Sequence, residues 1–320
     1  MGLFDRVLDR SILFSFSRGG YLRHQREFVA TDLERSMKGK VCLITGANAG
    51  LGFALARGLA ARQAEVHLLC RDAKRGAAAQ EAIRREAGDA EVYLHQVDLS
   101  SLSSVASFAE GFASPVDVLA HNAGVLPRDR ELTEDGLELT VATHLVGPFV
   151  MTHLLRPKLA GARVIFVSSG GMYAKRMDVD AMTTADGPYD GVAAYAMTKR
   201  GQVILAELWA DQLSEIGAVV NAMHPGWAAT KSVERSLPRF NTLMRRRLRT
   251  AEQGADTALW LAVADSVAAV RSRFFFDRKA VPTHYVPWTK ESDAERQRLW
   301  DFCKARCDAF VSSRKEQRDG

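Results

Sequence analysis

Cysteine is scarce in this chain, which has four among its 320 residues. Four cysteines at this length do not form the disulfide framework of a small secreted protein, so a reducing compartment is expected. Cys303 and Cys307 are four residues apart, but no histidine or further cysteine pair lies near them in the sequence. A metal site is therefore not predicted.

Long apolar runs are also missing. No window reaches the roughly 18 uninterrupted apolar residues that a membrane-spanning helix requires. Residues 1–20 carry Asp5 and Asp9, and Ser15 interrupts their apolar stretch, so they lack the core of a secretion signal. We therefore expect a cytoplasmic protein. The same segment places six apolar residues near one helical stripe, which predicts packing on the rest of the chain or contact with a membrane surface. They are Leu3, Phe4, Val7, Leu8, Ile12 and Leu13.

Neither sign of charge is in strong excess. Lysine and arginine number 43 against 38 aspartates and glutamates, which gives a formal net charge of +5. This small surplus gives little support to a nucleic-acid partner, and none is expected. A small anionic ligand is sufficient to account for it.

From Lys40 onward, apolar segments of strand length alternate with amphipathic segments of helix length. This alternation is typical of βαβ units and predicts an α/β fold with a Rossmann-type, doubly wound parallel sheet of about seven strands. Because no linker, repeat or low-complexity tract divides the chain, one domain is predicted over 40–280, with extensions at 1–39 and 281–320. The predicted strands cover 41–45, 65–70, 91–99, 116–124, 162–169 and 218–226, with a seventh near Phe274 to Phe276.

The first predicted strand runs directly into a glycine-rich turn, TGANAGLG, and a helical segment follows. At such a turn Gly46 permits the tight bend, Gly50 leaves room for a pyrophosphate, and Gly52 brings the helix close to the sheet. The helix N-terminus then faces the phosphates, with Asn48 and Leu51 in the same turn. The pattern predicts a dinucleotide site, and an ordinary glycine-rich turn is the alternative when the motif is taken alone.

The end of the second predicted strand distinguishes between the two nicotinamide cofactors. A carboxylate there would accept from a ribose 2′-hydroxyl and repel a 2′-phosphate, but Cys70 stands at this point and Arg71 follows. A guanidinium can pair with a 2′-phosphate, which favours NADP, or NADPH in its reduced form. The alternative is a surface ion pair between Arg71 and Asp72, which would neutralise the guanidinium.

Two further strand ends carry candidate cofactor-binding residues. Asp98, followed by Leu99, is placed either to accept from the adenine amino group or to cap the next turn. Asn122, Ala123 and Gly124 end the fourth strand, where small residues let the backbone pass beneath a cofactor. A plain turn at the end of a strand is the alternative for these three.

Tyr195 and Lys199 are four residues apart in a strongly helical segment, so both project from one face of the helix. A lysine ammonium beside a phenol favours the phenolate, which predicts that the pKa of Tyr195 falls from about 10 toward neutrality. Such a phenol exchanges a proton efficiently with an alkoxide, and the ammonium can also donate to the ribose hydroxyls. Without the glycine turn upstream, the pair would be more typical of a half-buried tyrosine beside a solvated lysine.

Five motifs follow one another at successive strand ends: the glycine turn, Asn-Ala-Gly, a Ser-Ser pair, Tyr-x3-Lys and His-Pro-Gly. In this combination residues 40–280 resemble the short-chain dehydrogenase/reductase family. Three features are similar to those of its retinol-dehydrogenase-like branch: CRD after the second strand, LTEDGLE at 132–138, and the long span from Ser169 to Tyr195. The resemblance implies hydride transfer between NADP(H) and a small carbonyl or alcohol, which can be lipophilic, and a homo-oligomeric assembly.

The same resemblance implies roles for particular side chains. Ser169 would hydrogen-bond the substrate oxygen, Tyr195 would transfer the proton, and Lys199 would stabilise the phenolate.

Around the nicotinamide, the resemblance implies contacts from Pro225, Gly226 and Thr230, for which a proline-glycine turn and an N-cap threonine are the alternative. The segment 231–250 would form a lid. Its arginines are expected to form a solvated helix face, and attraction of an anionic substrate or a membrane surface is the alternative. They are Arg235, Arg239, Arg245, Arg246, Arg247 and Arg249.

One position departs from the family. His144 stands three residues before Gly147, where relatives place an asparagine that acts through its main-chain carbonyl. Because an imidazole titrates near neutral pH, catalysis either persists with an altered pH dependence or is impaired, and we expect it to persist. Two other functions remain open: a catalytically weak NADP-binding regulator or scaffold, and a membrane-surface module that has kept the fold. The presence of Ser169, Tyr195 and Lys199 favours an enzyme.

Overall fold

The computed structural model describes residues 12–88, 90–183, 187–229, 244 and 246–319. Within these residues eight strands form one sheet, and their bounds are β1 Val41–Thr45, β2 Glu65–Cys70, β3 Val92–Gln96, β4 Val118–His121, β5 Arg163–Val167, β6 Val219–Met223, β7 Phe274–Phe276 and β8 Lys279–Ala280. Their order across the sheet is β3-β2-β1-β4-β5-β6-β7-β8. The first seven are parallel, and β8 pairs antiparallel with β7.

Helices cover both faces of this sheet. Their bounds are α1 Ile12–Ser15, α2 Arg18–His24, α3 Gly50–Ala60, α4 Ala73–Ala87, α5 Leu102–Gly111, α6 Leu139–Val141, α7 Gly147–Leu155, α8 Val179–Thr183, α9 Gly191–Gln212, α10 Ala251–Val263 and α11 Asp293–Asp319. A π-helical turn at Ala142–Val146 joins α6 to α7. One apolar core includes residues of α3, α4 and α10, and the other includes residues of α5, α7, α9 and α11. Because both faces are covered, β1 is buried along its whole length.

The predicted doubly wound α/β fold is confirmed. Seven parallel strands match the prediction, while β8 was not predicted because its two exposed residues are too few to show a periodicity. The predicted strands 91–99, 116–124, 162–169 and 218–226 were each two or three residues too long at the carboxyl end, because β3, β4, β5 and β6 end at Gln96, His121, Val167 and Met223. Asp98 therefore already belongs to the turn after β3.

The C-terminal extension completes one of the two cores. Leu299, Cys303 and Cys307 of α11 are fully buried against the core that includes α7 and α9. All four cysteines are buried free thiols. Among the described residues, no helix has both the length and the apolar character needed to cross a membrane. The predicted N-terminal stripe lies outside the described side chains.

Candidate active site

The turn after β1 depends on glycine. Gly46 and Gly50 have φ of +67° and +56°, values that other residues rarely adopt. A Cβ on Gly46 would lie 2.9 Å from the Cα of Ala123, and one on Gly52 would lie 2.5 Å from the carbonyl oxygen of Gly46. No side chain caps the start of α3, so its first amide groups are available to an anion.

The other residues of this turn contact neighbouring elements through their amides or side chains. The amides of Ala47 and Asn48 lie near the thiol of Cys70 at the end of β2, where they act to lower its pKa. Burial raises the pKa of the Cys70 thiol to about 11, so it remains protonated and is not a nucleophile. Leu51 packs toward α10, where a Cβ on Gly254 would lie 2.5 Å from its Cδ2.

Asn122 and Ala123 join the end of β4 to the end of β1. Asn122 Nδ2 donates to the carbonyl oxygen of Thr45 at 2.9 Å. Thr45 Oγ1 accepts from the amides of Asn122 and Ala123 at 2.9 and 3.0 Å. These bonds hold the two loops side by side at the carboxyl edge of the sheet, next to the glycine turn.

Arg71 lies at the end of β2, and its carboxylate partner is not the one that the sequence suggested. Asp72 caps α4 by accepting from the amide of Arg75 at 2.9 Å, and it also accepts from Arg75 Nε at 2.8 Å. The suggestion that Asp72 neutralises Arg71 is therefore wrong. Arg71 Nε lies 3.9 Å from Asp98 Oδ2, and its side chain is more than half exposed, so this ion pair is weak.

Asp98 caps the turn after β3. Its Oδ1 accepts from the amide and hydroxyl of Ser100 at 2.9 and 2.6 Å, which is the second of the two roles predicted for it. Leu99 is buried, and its carbonyl oxygen packs on Gly147, where a Cβ would lie only 2.1 Å away. Leu99 thus holds α7 against this turn.

Ser169, Tyr195 and Lys199 come together where β5 ends beside α9. The Ser169 hydroxyl lies beside the Tyr195 phenol and lowers the pKa of that phenol, and Lys199 Nζ lies 5.7 Å from the centre of the Tyr195 ring. Ser168 Oγ donates to the carbonyl oxygen of Lys199 at 2.7 Å. This bond fixes the strand end that carries Ser169 against the helix that carries the other two.

The expected lowering of the Tyr195 pKa is not found. Burial raises the pKa of the phenol above its ordinary value of 10, and the hydrogen bond with Ser169 opposes this only in part. The physical reason is the direction of the lysine side chain. Lys199 Nζ donates to the carbonyl oxygen of Val167 and to Gln202 Oε1, each at 2.9 Å, and not to the phenol.

Lys199 itself is strongly perturbed by its position. Its side chain is almost completely buried, and desolvation lowers the pKa of the amine to about 7. On one side it faces Gly124, where a Cβ would lie 3.5 Å from Nζ. The glycine therefore leaves room for about one methyl group between its Cα and the amine, next to His144 Nε2.

His144 lies in the π-helical turn and is fully buried. The amide of Val125 donates to its Nε2 at 2.9 Å, so Nδ1 carries the proton and donates to Thr198 Oγ1 at 2.8 Å. Burial, and then the charge of Lys199, hold the pKa of His144 well below its usual value. The expected titration of His144 near neutral pH is therefore wrong, and the ring is a neutral support for α9.

Pro225 and Gly226 form the turn after β6, where Gly226 has a φ of +68°. A Cβ on Gly226 would lie 2.5 Å from Arg249 Nε. Arg249 is only 1% exposed and donates to both carboxylate oxygens of Asp277, at 2.5 and 2.8 Å. A solvated helix face is therefore wrong for this arginine. Thr230 lies outside the described residues, as does most of the predicted lid.

The N-terminal segment packs beside Arg249 and Gly226, as the sequence predicted in one of two alternatives, but the residues that make the contact were not predicted. Arg249 Nη2 donates to the carbonyl oxygen of Ser15, and Arg249 Nε donates to that of Phe16, both at 3.0 Å. The ring of Phe16 packs on that of His224, with 4.6 Å between the ring centres. In the sequence, Phe16 was visible only as one of several N-terminal apolar residues, and nothing indicated which residues it contacts.

The arrangement combines a glycine turn for a dinucleotide with a serine, a tyrosine and a lysine at the carboxyl edge of a parallel sheet. This fold and site define a Rossmann-type oxidoreductase that acts on CH–OH or C=O groups. The short chain dehydrogenase family model matches residues 40–239. The chain belongs to that family.

Individual relatives agree with this assignment. The chain is 42% identical over 294 residues to dehydrogenase/reductase SDR family member 12 of Bos taurus, covering 90% of this chain and 92% of the relative. It is 32% identical over 287 residues to retinol dehydrogenase 12 of Homo sapiens, with coverages of 86% and 90%. The resemblance to the retinol-dehydrogenase-like branch is confirmed. A solved structure of a putative uncharacterized protein from Mycobacterium paratuberculosis superimposes with a TM-score of 0.70 at 27% identity, covering 86% of this chain and 95% of that one.

Proposed function

We propose that this protein is an NADP-dependent oxidoreductase that interconverts a carbonyl and an alcohol, with Tyr195 as the acid and base. The observation that carries the proposal is the Ser169, Tyr195 and Lys199 cluster. It lies at the carboxyl edge of the sheet, where the glycine turn also lies. In doubly wound folds this edge is where ligands bind.

The residues at this edge fit a dinucleotide. The uncapped start of α3 and the glycines at 46, 50 and 52 suit the pyrophosphate. Arg71 suits a 2′-phosphate, because it is exposed and its ion pair with Asp98 is long enough to yield to a stronger anion. Gly124, Pro225 and Gly226 would border the nicotinamide. When bound, the cofactor supplies a hydride in its reduced form and accepts one in its oxidised form.

In the reducing direction, Ser169 donates a hydrogen bond to the substrate oxygen, and Tyr195 gives its proton to that oxygen as negative charge develops there. The protonated form of Lys199 stabilises the resulting phenolate from within a desolvated site, where a charge acts strongly. In the oxidising direction, the phenolate of Tyr195 takes the proton of the alcohol. His144 stays neutral and keeps Thr198 and α9 in place.

A lipophilic alcohol or carbonyl is the substrate class that we favour. Relatives named retinol dehydrogenases support this choice. The segments beside Ser169 are also aromatic, since Tyr173 packs against Tyr285 and Phe16 packs against Trp227. We further propose a cytoplasmic homo-oligomer with no nucleic-acid partner. For the N-terminal stripe we favour packing on the enzyme over contact with a membrane surface, because Phe16, which follows it, is buried in the core.

A screen of carbonyl-dependent NADPH oxidation tests the proposal. The panel pairs long-chain and aromatic aldehydes with short polar ones, and NADPH binding is measured separately by its fluorescence. Turnover with the lipophilic members supports the proposal. Tight NADPH binding without turnover of any compound, in either direction, would favour the NADP-binding regulator instead.

A further inference from the structure

Gln202 lies on α9, three residues after Lys199, and its side chain is completely buried. Its Oε1 accepts from Lys199 Nζ at 2.9 Å. Its Nε2 has no acceptor within hydrogen-bond reach in the part of the chain that the structure describes. Because a buried donor without a partner costs stability, core packing does not explain a glutamine at this position.

The orientation of the amide follows from its neighbour. An ammonium has donors only, so the amide must turn its oxygen toward Lys199, and the opposite orientation would set two donors against each other. Because Oε1 accepts from Lys199 Nζ, the Nε2 of the same amide points away from the lysine and has no hydrogen-bond partner in the described part of the chain.

The surroundings of Lys199 make this acceptor important. No carboxylate pairs with Lys199 within the described ranges; β5 contributes the Val167 carbonyl, and α9 itself contributes Tyr195 and Gln202. The π-helical turn contributes His144, which is neutral.

The adjacent Arg200 does not compensate, because its guanidinium is directed away and donates to both oxygens of Glu291. Two neutral oxygens therefore hold the amine, and a third N–H of the protonated form remains for a ligand.

We propose that Gln202 is a positioning residue that, together with the Val167 carbonyl, favours the protonated form of the Lys199 amine and leaves its remaining N–H for the side that faces Gly124. The proposal rests on the proposed role of Lys199 and adds a determinant of its proton affinity. A hydrogen-bond acceptor favours the charged form of an amine, so removing the acceptor favours the neutral form.

The test compares Gln202→Met with Gln202→Glu. Methionine matches the length of glutamine, has no strong acceptor and removes the unpaired donor. The Met variant should therefore unfold at the same temperature as the unmodified protein or at a higher one, while the titration midpoint of Lys199 falls by about one pH unit. The kcat/KM should fall about five- to tenfold at neutral pH and recover at lower pH. The Glu variant keeps an acceptor and should raise the midpoint. Leu205→Met, at a fully buried site of α9, is the control for repacking.

The midpoint is followed by NMR of the lysine amine, with Lys199→Met to identify its signal, so this readout does not depend on turnover. A Met variant with an unchanged midpoint and an unchanged pH profile would overturn the proposal. If the Met variant does not fold, Gln202→Asn shortens the side chain by one methylene and should lower the midpoint in the same direction. If the midpoint moves but the unmodified protein reduces no carbonyl, the inference about Gln202 stands and the proposed function fails.

Discussion

The ring of Phe16 fills the space that a side chain on Gly170 would need, because a Cβ built there would lie 2.5 Å from Phe16 Cε2. Gly170 directly follows Ser169, so a segment outside the matched family region packs against the turn of the active-site serine. Phe16 is itself held by Arg249 and by the amide of Trp227, which donates to its carbonyl oxygen at 2.9 Å. The N-terminal segment is therefore part of the active-site wall.

Gly170→Ala is expected to reduce both stability and kcat, because the methyl group collides with a ring that is only 1% exposed. Overpacking of this kind costs about 1–3 kcal/mol. Gly171→Ala is the matched control, since a Cβ there would meet only Ser169 Oγ at 3.6 Å and Ala196 Cβ at 4.0 Å. Denaturant unfolding and kcat are measured for both. If Gly170→Ala and Gly171→Ala changed stability and kcat equally, the tight contact between Gly170 and Phe16 would be contradicted.

Arg71→Ala is expected to narrow the preference for NADPH over NADH by weakening NADPH binding. The guanidinium is the cationic group at the end of β2, and a pairing between charged groups is worth about 1.5–3 kcal/mol. Dissociation constants of both cofactors give the result. Arg85→Ala, an exposed arginine in the last turn of α4, should leave the ratio unchanged. Equal affinity of the unmodified protein for both cofactors would refute the assignment.

His144→Asn is expected to leave the rate of carbonyl reduction within about tenfold, or ~1.4 kcal/mol of barrier. Because the imidazole is already neutral at physiological pH, the substitution should not remove an inflection of the pH profile near neutrality. The profile of kcat/KM is recorded for both proteins. A gain of roughly a hundredfold or more would instead mean that the natural residue impairs the catalyst.

Asp277→Asn is expected to destabilise the protein by about 3–5 kcal/mol at neutral pH, because it leaves the buried Arg249 without its counter-ion. Burial alone would raise the pKa of Asp277, but the hydrogen bonds from His24 and Arg249 prevail and lower it. A carboxylate with a lowered pKa stabilises the fold above its ordinary pKa of 3.8 and loses that contribution as the pH falls through the folded-state value.

The difference in unfolding free energy between the natural protein and Asp277→Asn should therefore be constant near neutral pH and shrink only in strong acid. Asparagine tolerates the positive φ of +46° at this position, so backbone strain does not confuse the result. If this difference in unfolding free energy already disappeared between neutral and weakly acidic pH, a group other than Asp277 would be responsible for the pH dependence.

Local patterns predicted the sheet and brought the candidate site together, because the carboxyl ends of parallel strands meet at one edge. Ser169, Tyr195 and Lys199 are an example: a strand end and one helix face suffice to place them. The partner of Arg71 was not predictable in this way. Whether Asp72 or Asp98 faces it depends on where β3 ends beside β2, and that register is set by the whole sheet.

The burial of charged groups could not be predicted from the sequence either. Arg249 looked like one of several lid arginines, but its partners are Asp277 and the carbonyl groups of the N-terminal segment, more than 200 residues away. The direction of the Lys199 side chain, toward Val167 and Gln202 and not toward Tyr195, likewise results from the packing of β5 against α9. The sign of the Tyr195 pKa shift followed from that packing.

The central claim, that Tyr195 transfers the proton, is tested most directly by Tyr195→Phe. The substitution removes the hydroxyl that lies beside Ser169, and it leaves the ring in place beside His144. We expect kcat for carbonyl reduction to fall by about 10²- to 10⁴-fold, the usual contribution of a positioned acid, while the NADPH Kd changes little. A Phe variant that retains most of the activity, with unchanged NADPH binding, would show that the proton comes from another group.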